Sequence, residues 1–203
     1  MTRRMTRHLS LLCVPATAAL RTGRFPANEA ANEAADEAAD AEDIARVTVL
    51  TRNLGRPDRV LSSPMTSAQD TARALGLPFA VENALREVDY GRWRGQSLKD
   101  IGAAEPDALT AWLSDPGMDA HGGESLAAVI DRAGAWLSGL EPGHTLAVTH
   151  ASVIRAIVVH ALGAPARATM RLDIAPLTLT TLSGHGDAWR LTSVAVPLGA
   201  PNH

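Results

Sequence analysis

The pattern of hydrophobic and polar positions divides the chain into short apolar strands that alternate with helical segments. Continuous apolar runs predict buried strands at 8–14 and 144–150. Two further strands are expected at 59–64, where the strand runs into a Ser-Ser-Pro turn, and near 79–82. Apolar residues spaced three and four apart predict helices at 65–75, 97–104, 106–113, 124–139 and 151–163. This alternation predicts an α/β fold, a mostly parallel sheet covered by helices on both faces in three layers.

The carboxyl-terminal part adds two more strands. Residues 177–184 and 188–196 are expected to pair across a turn at Gly184-His185-Gly186, and the stretch 173–184 is interpreted as an edge strand. A chain of 203 residues can enclose one sizeable core, so residues 1–203 are expected to form a single domain.

Four segments end where the parallel strands are expected to deliver their carboxyl ends. They are Cys13–Val14, Ser62–Ser63, Arg86–Glu87 and Thr149–His150. Ligands of such sheets bind in the crevice at this edge, so the sequence predicts one crevice built from these four segments.

Charge is distributed unevenly along the chain. The net charge is −3, but residues 28–43 hold seven acids and no base, which leaves 15 acids and 19 bases, or +4, elsewhere. The segment repeats Asn/Asp-Glu-Ala-Ala and is interpreted as a surface helix or insertion, with an acidic docking surface as the alternative. No basic stripe is present, so no nucleic-acid partner is expected.

Composition narrows the remaining classes of function. A single cysteine excludes an intramolecular disulfide, and the apolar run behind the basic start is too short for a signal peptide or a spanning helix. We therefore expect a cytoplasmic protein with no membrane partner. The histidines lack metal-ligand spacing, so no metal and no cofactor is expected. A small-molecule ligand is the expected partner, and a homodimer stays open.

Five blocks of the sequence together carry a resemblance. They read LLCVPATAALRTGRF, LSSPMTSAQDTA, LREVDYGRWRG, HGGESL and LAVTHASVIRAIVVHALG. In this order and spacing, between about residues 9 and 163, they resemble the histidine phosphatase superfamily, the phosphoglycerate-mutase-like proteins. The resemblance implies a phosphoglycerate-mutase-like fold and, for an intact site, a phosphomonoester hydrolase or phosphomutase.

The first two blocks depart from the family pattern. The family begins Leu-Val-Arg-His-Gly-Glu-Thr, in which the His takes the phosphoryl group and the Arg holds phosphate. Matching Thr17 to the Thr places Cys13 at the Arg and Val14 at the His, and a shift by two residues supplies no His either. An Asn that often assists is replaced by Leu20, and the second phosphate-binding Arg is replaced by Ser67.

The other blocks match. The resemblance places Glu87 on the proton donor and His150 on the second histidine, which stabilises the transferring phosphoryl group. Residues Arg24 and Arg86 are the arginines best placed to replace the missing ligands, ahead of Arg21 and Arg92. The helix that begins at Ala151 offers backbone N–H groups. His121 is expected at the crevice rim.

These departures lead to three hypotheses. The first is a degenerate member, either a pseudo-phosphatase or a repurposed protein, whose crevice binds a small and less charged ligand. In this hypothesis His150 and Glu87 either act as an acid–base pair or are retained only as parts of the fold. The second is an active phosphatase on small phosphomonoesters, with His150 as nucleophile or with Cys13, whose pKa the helix end would lower. The third is a non-catalytic interaction subunit that docks through residues 28–43.

Overall fold

The computed structural model describes residues 6–27, 41–50, 54–186 and 188–198. The strands are β1 (Arg7–Cys13), β2 (Arg59–Ser62), β3 (Ala80–Val81), β4 (Gly143–Thr149), β5 (Thr178–His185) and β6 (Ala188–Pro197). The α-helices are α1 (Ala18–Arg21), α2 (Ala41–Leu50), α3 (Thr66–Ala74), α4 (Leu98–Ala104), α5 (Pro106–Ser114), α6 (Leu126–Ser138) and α7 (Ala151–Ala161). Short 3-10 turns lie at Asn83–Leu85, Gly91–Trp93 and Ala166–Arg171.

The strands form one six-stranded sheet in the order β3-β2-β4-β1-β5-β6. The neighbours among β3, β2, β4 and β1 are parallel, whereas β5 runs antiparallel to β1 and β6 antiparallel to β5. The predicted α/β fold with a mostly parallel sheet is confirmed. The interpretation of 173–184 as an edge strand is wrong, because β5 pairs on both sides and β6 forms the edge.

The register aligns the carboxyl ends of the central strands. Cys13 lies opposite Thr149 in the β1–β4 pair, and Ser62 lies opposite Val148 in the β2–β4 pair. The ladder continues one residue further, because the Val14 N–H donates to the Thr149 carbonyl at 2.9 Å and the Ser63 N–H to the Val148 carbonyl at 2.9 Å. Val14, Ser63 and His150 therefore leave the sheet side by side.

The alternation of side chains along β1 divides the core into two parts. Leu9, Leu11 and Cys13 pack with α6 and α7 on one face of the sheet. Leu12 and Val14 pack with α2 and α3 on the other. Because successive side chains of an extended chain point to opposite faces of the sheet, Cys13 packs in the first core and Val14 in the second.

The five predicted helices agree with the observed bounds to within two residues. The predicted helix 124–139 begins two residues late, at Leu126, because Ser125 is the N-cap, whose hydroxyl accepts from the Ala128 N–H at 3.2 Å. Glu124 lies before the helix and pairs with Arg132 at 2.8 Å. Of the acidic segment 28–43, residues 28–40 lie outside the described residues, and 41–43 begin α2. No helix in the described ranges is long and apolar enough to cross a membrane.

Candidate functional site

A cavity of about 540 Å³ opens at the carboxyl edge of the sheet. Cys13, Val14, Glu87 and His150 all line it, so three of the four predicted segments reach its wall. The fourth contributes from behind, because Ser63 is fully buried and hydrogen-bonds to His150. The volume falls within the range of small-molecule sites, roughly 300–1,000 Å³.

The wall of this cavity is mostly apolar. Its apolar side chains are Val14, Pro15, Leu20, Phe25, Pro26, Met65, Leu98, Ile174, Ala175 and Pro176. The loop after β1 reaches the cavity because Thr17 caps α1, its hydroxyl accepting from the Leu20 N–H at 3.3 Å. The 173–176 stretch is brought there by a bond from the Leu177 N–H to the Cys13 carbonyl at 3.2 Å.

His150 is held by a hydrogen bond at one ring nitrogen and faces a carboxylate with the other. Its Nε2 lies 2.9 Å from the Ser63 hydroxyl, within hydrogen-bond distance, and its Nδ1 lies 3.5 Å from Glu87 Oε2. The Ser63 oxygen also accepts from the Met65 N–H at 3.2 Å, so the Ser63 hydroxyl is free to donate to the imidazole. The ring is thereby fixed with its Nδ1 edge towards Glu87.

The Glu87 side chain is held by two hydrogen bonds to one of its carboxylate oxygens. Its Oε1 accepts from the Val88 N–H at 2.8 Å and from the Ser152 hydroxyl, which comes from the first turn of α7. The other oxygen faces His150. A carboxylate with these donors is an acceptor in a set position, and it can take or return a proton through the imidazole.

Cys13 and Val14 are buried wall residues. Cys13 is 2% exposed, and burial, with the nearby Glu87 charge, raises the pKa of its thiol to about 12. The expectation that the helix end would lower this pKa is wrong, because the desolvation of the thiolate dominates. Val14 is also buried and presents only hydrocarbon to the cavity. Ser67 is 1% exposed and lies behind the wall.

The arginines predicted as replacement phosphate ligands are directed to other partners. Arg24 lines the cavity, but its Nη1 donates to the Gly95 carbonyl at 2.9 Å. Arg86 lies outside the cavity wall and pairs with Glu124 at 3.0 Å. Arg92 pairs with Glu105 and Arg21 with Asp43, both at the surface. The prediction that Arg86 enters the crevice is wrong.

His121 is buried rather than placed at the rim. It is 1% exposed, its ring lies 5.1 Å from that of Trp93, and its Nδ1 accepts from the Gly123 N–H at 3.0 Å. Burial lowers the pKa of this imidazole. The predicted contact with a ligand is therefore wrong, because an aromatic cluster and not the cavity surrounds the ring. Ala151 does line the cavity, as predicted, and begins α7.

Several cavity residues were missed by the sequence reasoning. Ser152 and Arg155 of α7 line the wall, and so does Tyr90. The signal for Arg155 was present, since a residue four positions after Ala151 lies on the same helix face. Ser63 was predicted at the crevice edge, but its hydrogen bond to His150 was not predicted. In the described part of the chain, no three His, Cys, Asp or Glu side chains gather as a metal site.

The fold and the cavity define an α/β protein with an open cavity at the carboxyl ends of its central strands. The family model of the histidine phosphatase superfamily (branch 1) matches residues 34–197, and the chain belongs to that superfamily. The matched range begins after the corner that contains Cys13 and Val14.

Characterised relatives share part of their length with this chain. A glucosyl-3-phosphoglycerate phosphatase of Mycolicibacterium vanbaalenii is 32% identical over 137 residues, which are 60% of each protein. A bifunctional protein of Mycobacterium tuberculosis is 32% identical over 137 residues, 63% of this chain but 38% of the relative. The chain therefore matches well under two thirds of the length of these relatives.

The structural likeness is broader. A mycobacterial glucosyl-3-phosphoglycerate phosphatase, solved in complex with VO3, aligns with a TM-score of 0.78 and 28% identity. The alignment covers 94% of this chain and 99% of the relative. The frame of the phosphatase fold is thus present along nearly the whole chain.

Proposed function

We propose that this protein is a degenerate member of its superfamily that binds a small, weakly charged molecule and does not use the phosphohistidine mechanism. The observation that carries the proposal is the corner after β1, where Cys13 and Val14 are buried apolar wall residues of the cavity. Phosphoryl transfer needs an in-line nucleophile and cationic donors around the phosphoryl oxygens. Neither is supplied at this corner.

This chain lacks several features that the phosphatase activity of its relatives would require. Glucosyl-3-phosphoglycerate carries a phosphoryl group, and bidentate arginines are the usual means of holding one. Here Arg24 and Arg86 are engaged elsewhere, and Ser67 lies behind the wall. The carboxylate of Glu87 faces the same cavity and would repel a phosphate dianion.

The substitute nucleophiles are weak candidates. The raised pKa leaves the Cys13 thiol protonated at neutral pH, and the protonated thiol is a poor nucleophile. The His150 Nε2 is hydrogen-bonded to Ser63 and its Nδ1 faces Glu87, so attack on phosphorus through Nε2 would require the Ser63 bond to break. The same contacts suit a proton relay or a purely structural pair.

The test is a turnover and labelling experiment. The purified protein is incubated with p-nitrophenyl phosphate and with glucosyl-3-phosphoglycerate, and the protein is then quenched in alkali and probed for phosphohistidine. We expect neither hydrolysis above the rate of a heat-denatured control nor labelling. Turnover that His150→Ala abolishes would overturn the proposal, and so would activity that Cys13→Ser or iodoacetamide removes.

A further inference from the structure

Arg24, Arg155 and Asp173 are charged side chains of the cavity that do not belong to the Glu87–His150 pair. The two arginines differ in their contacts, because Arg24 donates to the Gly95 carbonyl. Arg155 lies on α7, four residues after Ala151 and three after Ser152, and all three line the same cavity. Its Nε–H is buried and makes no hydrogen bond within the described ranges. The ion pairs found among those ranges do not include it either.

Two other arginines of the fold, Arg132 and Arg86, have hydrogen-bonded partners. Arg132 donates to both oxygens of Glu124 at 2.8 Å and to the Ala84 carbonyl at 2.6 Å. Arg86 shares the same carboxylate. A guanidinium whose Nε–H is buried without an acceptor costs free energy, because water is withdrawn from it and no hydrogen bond replaces the loss. A bound anion would remove this cost.

Resting on the proposed function, we propose that Arg155 is the anchor for the carboxylate of an otherwise apolar small molecule. A carboxylate can accept two parallel hydrogen bonds from the planar guanidinium group, and a single arginine is enough to bind it. The hydrocarbon part of the ligand would lie against the wall formed by Val14, Phe25 and Ile174. The ligand class is therefore a hydrophobic monocarboxylic acid.

The charges around the cavity favour a monoanion over a phosphate dianion. Arg155 is close enough to Cys13 and Tyr90 to act on both electrostatically, and Glu87 acts on them with opposite sign. Arg24 and Asp173 also line the cavity, so two cations face two carboxylates there, and this balance favours a single added negative charge over two. Tyr90, whose pKa burial raises, stays a neutral phenol at the wall and does not add to the repulsion.

The experiment compares three compounds that share an aromatic hydrocarbon body. Phenylbutanoate, phenylbutanamide and phenylpropyl phosphate are titrated into the full-length protein by calorimetry. We expect the carboxylate to bind on the order of tenfold more tightly than the amide, because a charge-assisted hydrogen bond distinguishes them. The phosphate ester should bind more weakly than the carboxylate and stay intact.

Two variants assign the preference to one side chain. Arg155→Gln should remove the difference between acid and amide while leaving amide affinity within about twofold, and Arg155→Lys should restore part of it. Arg171→Gln is the matched control, because it removes one positive charge from an exposed residue outside the cavity wall, and it should keep the preference.

Each failure has its own meaning. Equal affinity for acid and amide in the wild type, or a preference that survives in Arg155→Gln, overturns the carboxylate anchor and leaves the proposed function standing. No binding of phenylbutanoate at millimolar concentration also overturns the anchor. Tightest binding or hydrolysis of the phosphate ester overturns the proposed function as well.

Discussion

At the scale of the residue, the corner after β1 is governed by burial. Cys13 and Val14 enter opposite cores because side chains alternate along a strand, and both still touch the cavity. A low dielectric surrounding disfavours the ionised thiol. The burial that fills the corner therefore keeps the Cys13 thiol protonated at neutral pH, which is the basis of our proposal that this corner supplies no nucleophile.

The raised pKa of Cys13 makes a prediction about stability at alkaline pH. Folding raises the pKa of the Cys13 thiol from 9.0 to about 12. Between these pH values the thiol is therefore ionised in the unfolded chain and protonated in the folded chain. This contribution to the free energy of unfolding is present below pH 9 and is lost as pH rises, by up to about 1.4 kcal/mol per pH unit. Urea unfolding between about pH 8 and pH 10 should fall more steeply for the wild type than for Cys13→Ala. Parallel curves would contradict the account.

Ser63 supports His150 and can be tested by removal of its hydroxyl. Ser63→Ala removes the buried hydroxyl that hydrogen-bonds to the His150 Nε2 and to the Met65 N–H. We expect the free energy of unfolding to fall by about 1–3 kcal/mol. Ser114→Ala on the exposed end of α5 should change it by less than about 0.5 kcal/mol. If urea unfolding gives the same loss of unfolding free energy for both variants, the Ser63–His150 hydrogen bond does not stabilise the fold more than a surface serine does.

At the scale of the element, α6 holds the loop that carries Glu87. Arg132 of this helix pairs with Glu124 and donates to the carbonyls of Ala84 and Arg86, just before Glu87. The Thr149 hydroxyl donates to the Leu85 carbonyl at 2.7 Å and ties the same loop to β4. The position of the carboxylate thus depends on a helix and a strand that do not touch the ligand.

Breaking this anchor should cost far more than breaking a surface pair. The Arg132–Glu124 side chains are each 11% exposed, whereas those of Arg92 and Glu105 are 50% and 30% exposed. Arg132→Met should destabilise the fold by about 3–5 kcal/mol, since it leaves a largely buried carboxylate short of a partner. Arg92→Met should cost less than about 1 kcal/mol. Chemical denaturation measures both, and comparable losses would contradict the assigned role.

Elements were more predictable from the sequence than their pairing. Periodicity and turn residues located the helices and strands, because these signals are local. The place of β5 inside the sheet could not be predicted, since pairing between β1 and β5 joins residues far apart in the chain. For the same reason Arg86 and His121 were misplaced: Glu124 and Trp93, which hold them, lie in other blocks.

At the scale of the whole molecule, the chain has the fold of its superfamily, and the change that we propose lies in the cavity. Glu87 and His150 occupy the wall as the motifs predicted, and the likeness to a vanadate-bound phosphatase extends over 94% of the chain. The apolar corner was also predictable, because it follows from residue identity at Cys13 and Val14. The position of Arg155 in the cavity wall, with a buried Nε–H that has no acceptor among the described residues, is known only from the structure.

The most direct measurement is a vanadate titration followed by calorimetry, with phosphate as competitor. Vanadate occupies the relative of known structure, so a retained phosphoryl site should bind it here as well. We expect no saturable binding to the wild type. A triple variant, Cys13→Arg, Val14→His and Ser67→Arg, provides the control in which binding should emerge. Saturable binding of vanadate by the wild type, displaced by phosphate, would contradict the claim that this cavity has lost its phosphate chemistry.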